Sequence, residues 1–219
     1  EDIPKFSSPI FSQMLQCLYR EWIVIKRDWG TRVGKIAKKI FFALVLGILF
    51  LQIGNEQKDA NARVGLVFIL ILQNAMGVQD SIPLFMKKKQ VFYAQENAGY
   101  YHGSAFFLAQ QLVKIPFYFV ELVVFLLILY PMVGLNGGVG SEQFGFTLVI
   151  LFLTILVSDA YVMTVCAFSP NSITAQAISP VGFVMFLLFC GYLITVDDIP
   201  DYWIWMNYLS FFTYTFRGL

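Results

Sequence analysis

From Ala160 to Val196 the chain runs 37 residues without one charged side chain. As a single helix this stretch would be about 55 Å long at 1.5 Å per residue, against a bilayer hydrocarbon core of about 30 Å. It is too long for one crossing and too apolar for water. Ser169-Pro170-Asn171-Ser172 divides it, because proline and small polar residues mark a turn. Two membrane spans joined by a very short loop are the expected result. Composition extends this reading to all 219 residues: 58% are hydrophobic and 13% charged, where soluble domains carry about 25% charge. A soluble globule is excluded, and so is a disordered segment, which needs low hydrophobicity and high charge. The net charge of +1 argues against a nucleic-acid partner. Cys17, Cys166 and Cys190 form no C-x-x-C pair and no even disulfide framework.

The fold class expected is an all-α polytopic membrane bundle. Runs of about 20 apolar residues place five spans at about 36–53, 64–85, 105–130, 143–168 and 175–196. Lys38 and Lys39 near the start of the first can snorkel to headgroups. Residues 1–35 are a separate segment holding an amphipathic helix. In it Phe11, Leu15, Leu18, Trp22 and Ile25 recur at intervals of three or four among Arg20, Lys26, Arg27 and Arg32. That pattern reads as an interfacial helix rather than a targeting peptide, which needs an apolar core and a small-residue cleavage site.

Twelve of the 15 Lys and Arg residues fall on one side when the spans are threaded from the N-terminus. Only Lys58, Arg63 and Arg217 fall on the other. The positive-inside rule puts the N-terminus and the 87–101 loop in the cytoplasm and residues 197–219 outside. In that last segment eight aromatic residues crowd positions 202–216. It is either an interfacial aromatic belt or a re-entrant segment, whose backbone must be helical or buried in protein. Phe216-Arg217-Gly218-Leu219 reads as neither tail nor span, so the sequence is read as a segment of a longer protein.

Five phrases, in order, carry a resemblance. Gln13, Leu18, Arg20 and Arg27-Asp28 precede the first span. Asn61-Ala62-Arg63-Val64-Gly65-Leu66-Val67-Phe68 opens the second. Lys88-Lys89-Gln90-Val91-Phe92, Ala98-Gly99-Tyr100-Tyr101 and Ile115-Pro116 follow. Ser169-Pro170-Asn171 forms the fourth. Gly191-Tyr192-Leu193-Ile194, Ile199-Pro200, Trp203, Trp205, Tyr208-Leu209-Ser210 and Tyr214 form the fifth. Together they resemble the ABC-2 type transmembrane domain of G-subfamily ATP-binding cassette exporters, the white and pleiotropic-drug-resistance type, and the final phrase is closer to the half-transporter branch. Two positions depart from the family pattern. Gln95 stands where the family has an acidic residue, with Glu96 one place later, and Lys88-Lys89 or Lys89-Gln90 stands where it has Glu-Arg.

The resemblance implies an N-terminal nucleotide-binding domain and a sixth span beyond this chain. ATP and Mg²⁺ would bind on that domain, since no G-x-x-x-x-G-K-[ST] loop is present here. It also implies pairing with a second half-transporter, identical or different, and ATP-driven export of hydrophobic or amphipathic compounds such as sterols, lipids, pigments or drugs. The protein would lie in the plasma membrane or an organelle membrane.

Site residues follow residue by residue. Arg20, Arg27, Asp28, Phe92, Tyr93, Tyr100 and Tyr101 would couple to the nucleotide-binding domain. The alternative for the 87–101 loop is a basic stretch holding anionic lipid headgroups. Leu72, Gln73, Asn74 and Met76 on the second span and Val184, Leu187 and Leu188 on the fifth would line the substrate path. Tyr192 and Leu193 would plug its outer end, with the Tyr192 ring stacked on its counterpart in the second copy. Asp80, Glu121 and Asp159 are the acidic residues within spans. They form either a network that locks the helices or a proton or substrate site. His102 is the single histidine and has no carboxylate near it in sequence, so no metal site is expected.

Three rival classes share the polytopic helical build. The nearest is an ABC-2 type polysaccharide or lipid exporter permease, which would lack the aromatic outer segment. A membrane acyltransferase needs a catalytic histidine with an acidic partner. A channel needs a selectivity ring or filter, and neither signature is present. The topology yields a first prediction. Cysteines introduced at positions 88 and 198 of the complete protein react with impermeant thiol reagents from opposite faces of sealed vesicles. Reaction of both from one face contradicts the five-span count.

Overall fold

A computed structural model describes residues 9–51, 60–134, 141–194 and 199–219. Among the described residues every regular element is a helix. This is the form that satisfies backbone groups where water is absent. Helix α1 covers Ile10–Arg27 and α2 Trp29–Leu49. Asp28 separates them, its carboxylate accepting from Thr31 Oγ1 at 2.7 Å at the start of α2. Helix α3 covers Ala60–Gly77, a 3₁₀ turn covers Val78–Ser81, and α4 covers Ile82–Asn97. Helix α5 covers Gly103–Val133, α6 Glu142–Phe168, α7 Ser172–Leu188, α8 Ile204–Leu209 and α9 Phe211–Gly218.

The ends are set locally. His102 Nδ1 accepts from the Ser104 amide at 3.3 Å at the start of α5. Ser141 Oγ accepts from the Phe144 amide at 3.2 Å at the start of α6. Both are N-caps that satisfy an otherwise orphaned donor. Pro83 at the start of α4 fits a first turn, where a missing N–H costs nothing.

Several boundaries differ from the sequence reading. The stretch expected as a loop at 87–101 is helical up to Asn97, because Leu84–Ala94 contains no glycine or proline and three lysines that favour helix. Helix α2 begins at Trp29, seven residues before the expected first span, and ends at Leu49. Helix α7 stops at Leu188 although apolar sequence continues to Ile194. Thr195, Val196, Asp197 and Asp198 lie outside the described residues, as do Lys5, Lys58, Gln52 and Ile53. Three helical stretches, Ala62–Asn97, Gly103–Val133 and Glu142–Phe168, are long and apolar enough to cross a membrane. Helix α7 is apolar but has 17 residues, about 25 Å.

Helices α5 and α6 form the centre. Phe125, Phe183 and Phe212, from α5, α7 and α9, are fully buried in one continuous apolar cluster with Leu151 of α6 and Ile71 of α3. Helix α2 packs along α5, and α1 against its N-terminal part. The expected apolar row of α1 is split, with Ile25 buried and Leu18 packed on the bundle. Gln13, Cys17, Glu21 and Ile25 are its buried row, whereas Phe11, Leu15 and Trp22 are exposed. An interfacial helix turns its apolar row toward the surroundings, so the row against its own bundle is left to meet the polar groups of α4 and α5.

Helices α6 and α7 meet at Gly182. The Tyr161 ring lies over it, edge-on to Phe183 at 5.0 Å and Phe186 at 5.5 Å between ring centroids. A Cβ at Gly182 would overlap the Tyr161 hydroxyl and sit 2.8 Å from its Cζ. The flanking phenylalanines leave the ring little room to move. Gly182→Ala is expected to cost about 1–3 kcal/mol by overpacking. The melting temperature in detergent should fall, while Gly145→Ala, with nothing within 4 Å, should leave it unchanged or raised. Equal melting of the two variants would contradict this packing.

Candidate functional site

At the basic end of the bundle, α1, α4 and the turn before α5 lock together. Cys17, Tyr101, Phe106 and Ala109 are buried as one cluster, with Met14, Leu18 and Phe92 packed on it. The Phe92 ring stacks on Phe106 at 4.8 Å. The Arg20 guanidinium lies 5.5 and 5.6 Å from the Tyr101 and Phe106 ring centroids, within cation–π range. Arg20 Nη1 donates to Gln95 Oε1 at 2.8 Å, and the Tyr101 hydroxyl donates to the same oxygen at 2.6 Å. At the position where the family pattern has an acid, a neutral amide oxygen thus serves both donors. Lys88 and Arg20 both pair with the buried Glu21, Arg20 at 3.5 Å. The His102 amide donates to Gln13 Oε1 at 2.9 Å. Burial pushes both the Cys17 thiol and the Tyr101 phenol above their ordinary pKa, so both stay neutral.

The structure therefore divides the expected coupling residues. Arg20, Phe92 and Tyr101 are committed to contacts within the chain. Tyr100 and Tyr93 are exposed, at 73% and 49%, and so is Arg27. Asp28 holds the start of α2.

Lysine also joins α4 to the far side of the bundle. Lys89 Nζ donates to the carbonyl oxygens of Cys166, Ala167 and Ser169 at 3.0, 2.8 and 2.9 Å. These belong to the end of α6, where carbonyls lack helical partners and the helix dipole attracts a cation. Movement of α4 is thereby tied to the turn that leads into α7.

The acids within helices are paired or enclosed. Asp159 is fully buried, bonded by Lys114 Nζ at 3.0 and 3.1 Å and by the Tyr118 hydroxyl at 2.8 Å. Asp80 pairs with Lys38 at 2.8 Å. Glu121 borders a gap with Lys35, Lys38, Lys39, Gln73 and Asp80. That gap measures ≈ 10 Å³, about one water site. The arrangement links α2, α3, α5 and α6 and leaves no room for a solute. Asn74, expected on the path, lies beside this group. It is buried, accepting from Lys39 Nζ at 2.7 Å and donating to the Leu70 carbonyl at 2.8 Å, so its amide is already occupied.

Of the other path residues, Leu72, Gln73 and Met76 are half-buried on α3. Val184 is exposed on α7, Leu187 lies in the core, and Leu188 packs on a small cluster of Phe189, Ile199 and Met206. Ile173, Ala177, Val181 and Val184 are exposed along α7 at spacings of four, four and three, which places them on one helical face. Gly191 has φ 91°, a conformation that a side chain strains, and it turns the chain. Tyr192 then stacks on Phe68 of α3 at 4.7 Å, with Phe216 of α9 at 5.7 Å. Its ring is engaged within its own chain and remains 38% exposed. Leu193 remains exposed.

Glu21 and Gln13 were absent from the sequence reading of the site. The available signal was their place in the row Gln13, Cys17, Glu21, Ile25, spaced by four, which is as regular as the apolar row but less hydrophobic.

The comparisons with known proteins agree with this architecture. Residues 12–219 match the family model described as ABC-2 type transporter. Over 218 residues, 99% of the chain, it is 32% identical to ABC transporter G family member 2 of Dictyostelium discoideum, of which it spans 16%. It is 30% identical to ABC transporter G family member 38 of Oryza sativa subsp. japonica over 98% of the chain, spanning 14% of that protein. It is 24% identical to ABC transporter G family member STR2 of Petunia hybrida over 99% of the chain, spanning 29% of that protein. The chain thus corresponds to a minor part of each of these relatives. Taken with its helical, apolar build, the match over almost its whole length means that the chain belongs to the ABC-2 type transporter family, as a membrane domain similar to those of ABC transporter G family members.

Proposed function

We propose that this chain is the membrane domain through which an ATP-driven exporter moves hydrophobic or amphipathic compounds by alternating access. The observation that carries the reading is the double attachment of α4. One side of that helix is bonded to α1 through Lys88–Glu21 and Gln95–Arg20, and the other to the α6–α7 turn through Lys89. A push on the exposed Tyr93 and Tyr100 is thereby transmitted to α7. The apolar row on α7, facing the same row of a second such domain, forms one wall of a cleft. Such a cleft takes flat or lipidic molecules through burial and dispersion. ATP and Mg²⁺ bind on a nucleotide-binding domain outside this chain and supply the energy for closure.

Orientation follows the basic residues, with α1 and α4 at the cytoplasmic face and α8 and α9 at the outer face. Sterols, lipids, pigments and drugs are the substrate classes, in the plasma membrane or an organelle membrane. The second wall comes from a homo- or heterodimeric partner domain. The packing of α8 and α9 into the bundle favours this exporter type over a polysaccharide permease. Exposed Phe11, Leu15 and Trp22 suit contact with membrane lipids at the interface.

Coupling is testable in the complete protein. Tyr93→Ala with Tyr100→Ala should abolish stimulation of ATP hydrolysis by a transported compound while leaving the melting temperature unchanged. Tyr101→Ala removes a buried ring and should cost on the order of 3 kcal/mol of stability. Wild-type stimulated hydrolysis in the double variant would leave the loop with only its lipid-anchoring reading.

A further inference from the structure

Helix α7 ends in the middle of apolar sequence. Met185–Ile194 holds no proline or charge, yet the helix stops at Leu188. A helix ending in an apolar medium leaves its last carbonyl oxygens without partners, and each such group is costly where no water reaches. Here the following segment supplies the donors. Ser210 Oγ donates to the Phe186 carbonyl at 2.7 Å. Asn207 Nδ2 donates to the Phe189 carbonyl at 2.7 Å, and the Thr213 hydroxyl shares its one proton between that oxygen at 3.1 Å and the Asn207 carbonyl at 3.2 Å. Asn207, Ser210 and Thr213 are all buried, Ser210 completely. The same short segment is fixed on its other side to α6, where the Thr215 and Thr154 hydroxyls lie 2.8 Å apart. Phe212 packs between them with its ring centroid 5.9 Å from that of Phe183.

We propose that Asn207, Ser210 and Thr213 are positioning residues that cap α7 from outside its own helix. They set where the path-lining helix ends and make α6, α7 and α9 move as one body. Tyr192 follows Phe189 by three residues, so the cap also determines that its ring meets Phe68 of α3. The inference rests on the exporter reading for its role in transport: outward opening moves the capped body as a unit and slides Tyr192 off Phe68. The capping itself is independent of any substrate.

Cys190 offers a native reporter. It is 2% exposed and adjoins the doubly bonded Phe189, while Cys17 and Cys166 are buried elsewhere. In the complete protein in nanodiscs, alkylation by N-ethylmaleimide is followed at each cysteine by peptide mass spectrometry. Asn207→Ala with Thr213→Val, the second change keeping shape but removing the donor, should speed labelling of Cys190 by about tenfold. Cys17 and Cys166 should label at wild-type rates. Thr213→Ser retains the hydroxyl and should behave as wild type. If the double variant fails to fold, Ser210→Ala alone gives the same local pattern to a smaller extent. Unchanged labelling of Cys190, or equal acceleration at all three cysteines, would overturn the cap as a local positioning device. Either result leaves the proposed export function standing. Failure of ATP-dependent transport by the wild-type protein, with the labelling pattern intact, would remove the function and leave the cap.

Discussion

A helix that ends inside an apolar bundle must deliver its last carbonyl oxygens to some donor, and the arrangement of this domain depends on where those donors come from. At one end of the α6–α7 hairpin a lysine from α4 meets three carbonyls. At the other end an amide and two hydroxyls from the α8–α9 segment meet two. Neither set lies on the helix it completes. The hairpin is therefore held at both ends by elements outside it.

Charge inside the bundle serves the same end. Asp159 is fully buried with Lys114 and Tyr118 bonded to it. Removing one partner of such a pair strands a charge and typically costs about 3–5 kcal/mol, although the intact pair adds little net stability. Its consequence is registry between α5 and α6. The Lys39–Asn74 bond does the same for α2 and α3. These groups bond one another inside the fold, while the exposed face of α7 carries no charge because its sequence holds none.

The basic end combines rigidity with an exposed surface. Arg20, Gln95 and Tyr101 satisfy one another while Phe92 and Phe106 stack beneath them. Tyr93 and Tyr100 stand outside this knot. A rigid base with two exposed rings is suited to receive a mechanical load, because a force applied to the rings meets packed side chains rather than a pliable loop.

The sequence by itself determined the class of the protein. Length and charge statistics leave lipid as the only compatible medium, and the uncharged run through Ser169-Pro170-Asn171 gives the hairpin without reference to any contact. Motif order was also legible, since Asn61–Phe68, Lys88–Phe92 and Gly191–Ile194 are local phrases. Contacts between distant segments were not legible. Nothing near Asn74 in sequence shows that Lys39 occupies its amide. Nothing near Tyr192 shows that Phe68 lies under its ring, and the side-chain donors that meet carbonyls at the end of α7 come from about 20 residues later. Periodicity reports which residues share a face of one helix. It does not report which face another helix will claim, and on α1 the row that meets the bundle is Gln13, Cys17, Glu21 and Ile25. Only the tertiary structure decided those pairings, because a hydrogen bond or ring stack depends on positions of two helices at once, while hydropathy and spacing are properties of one.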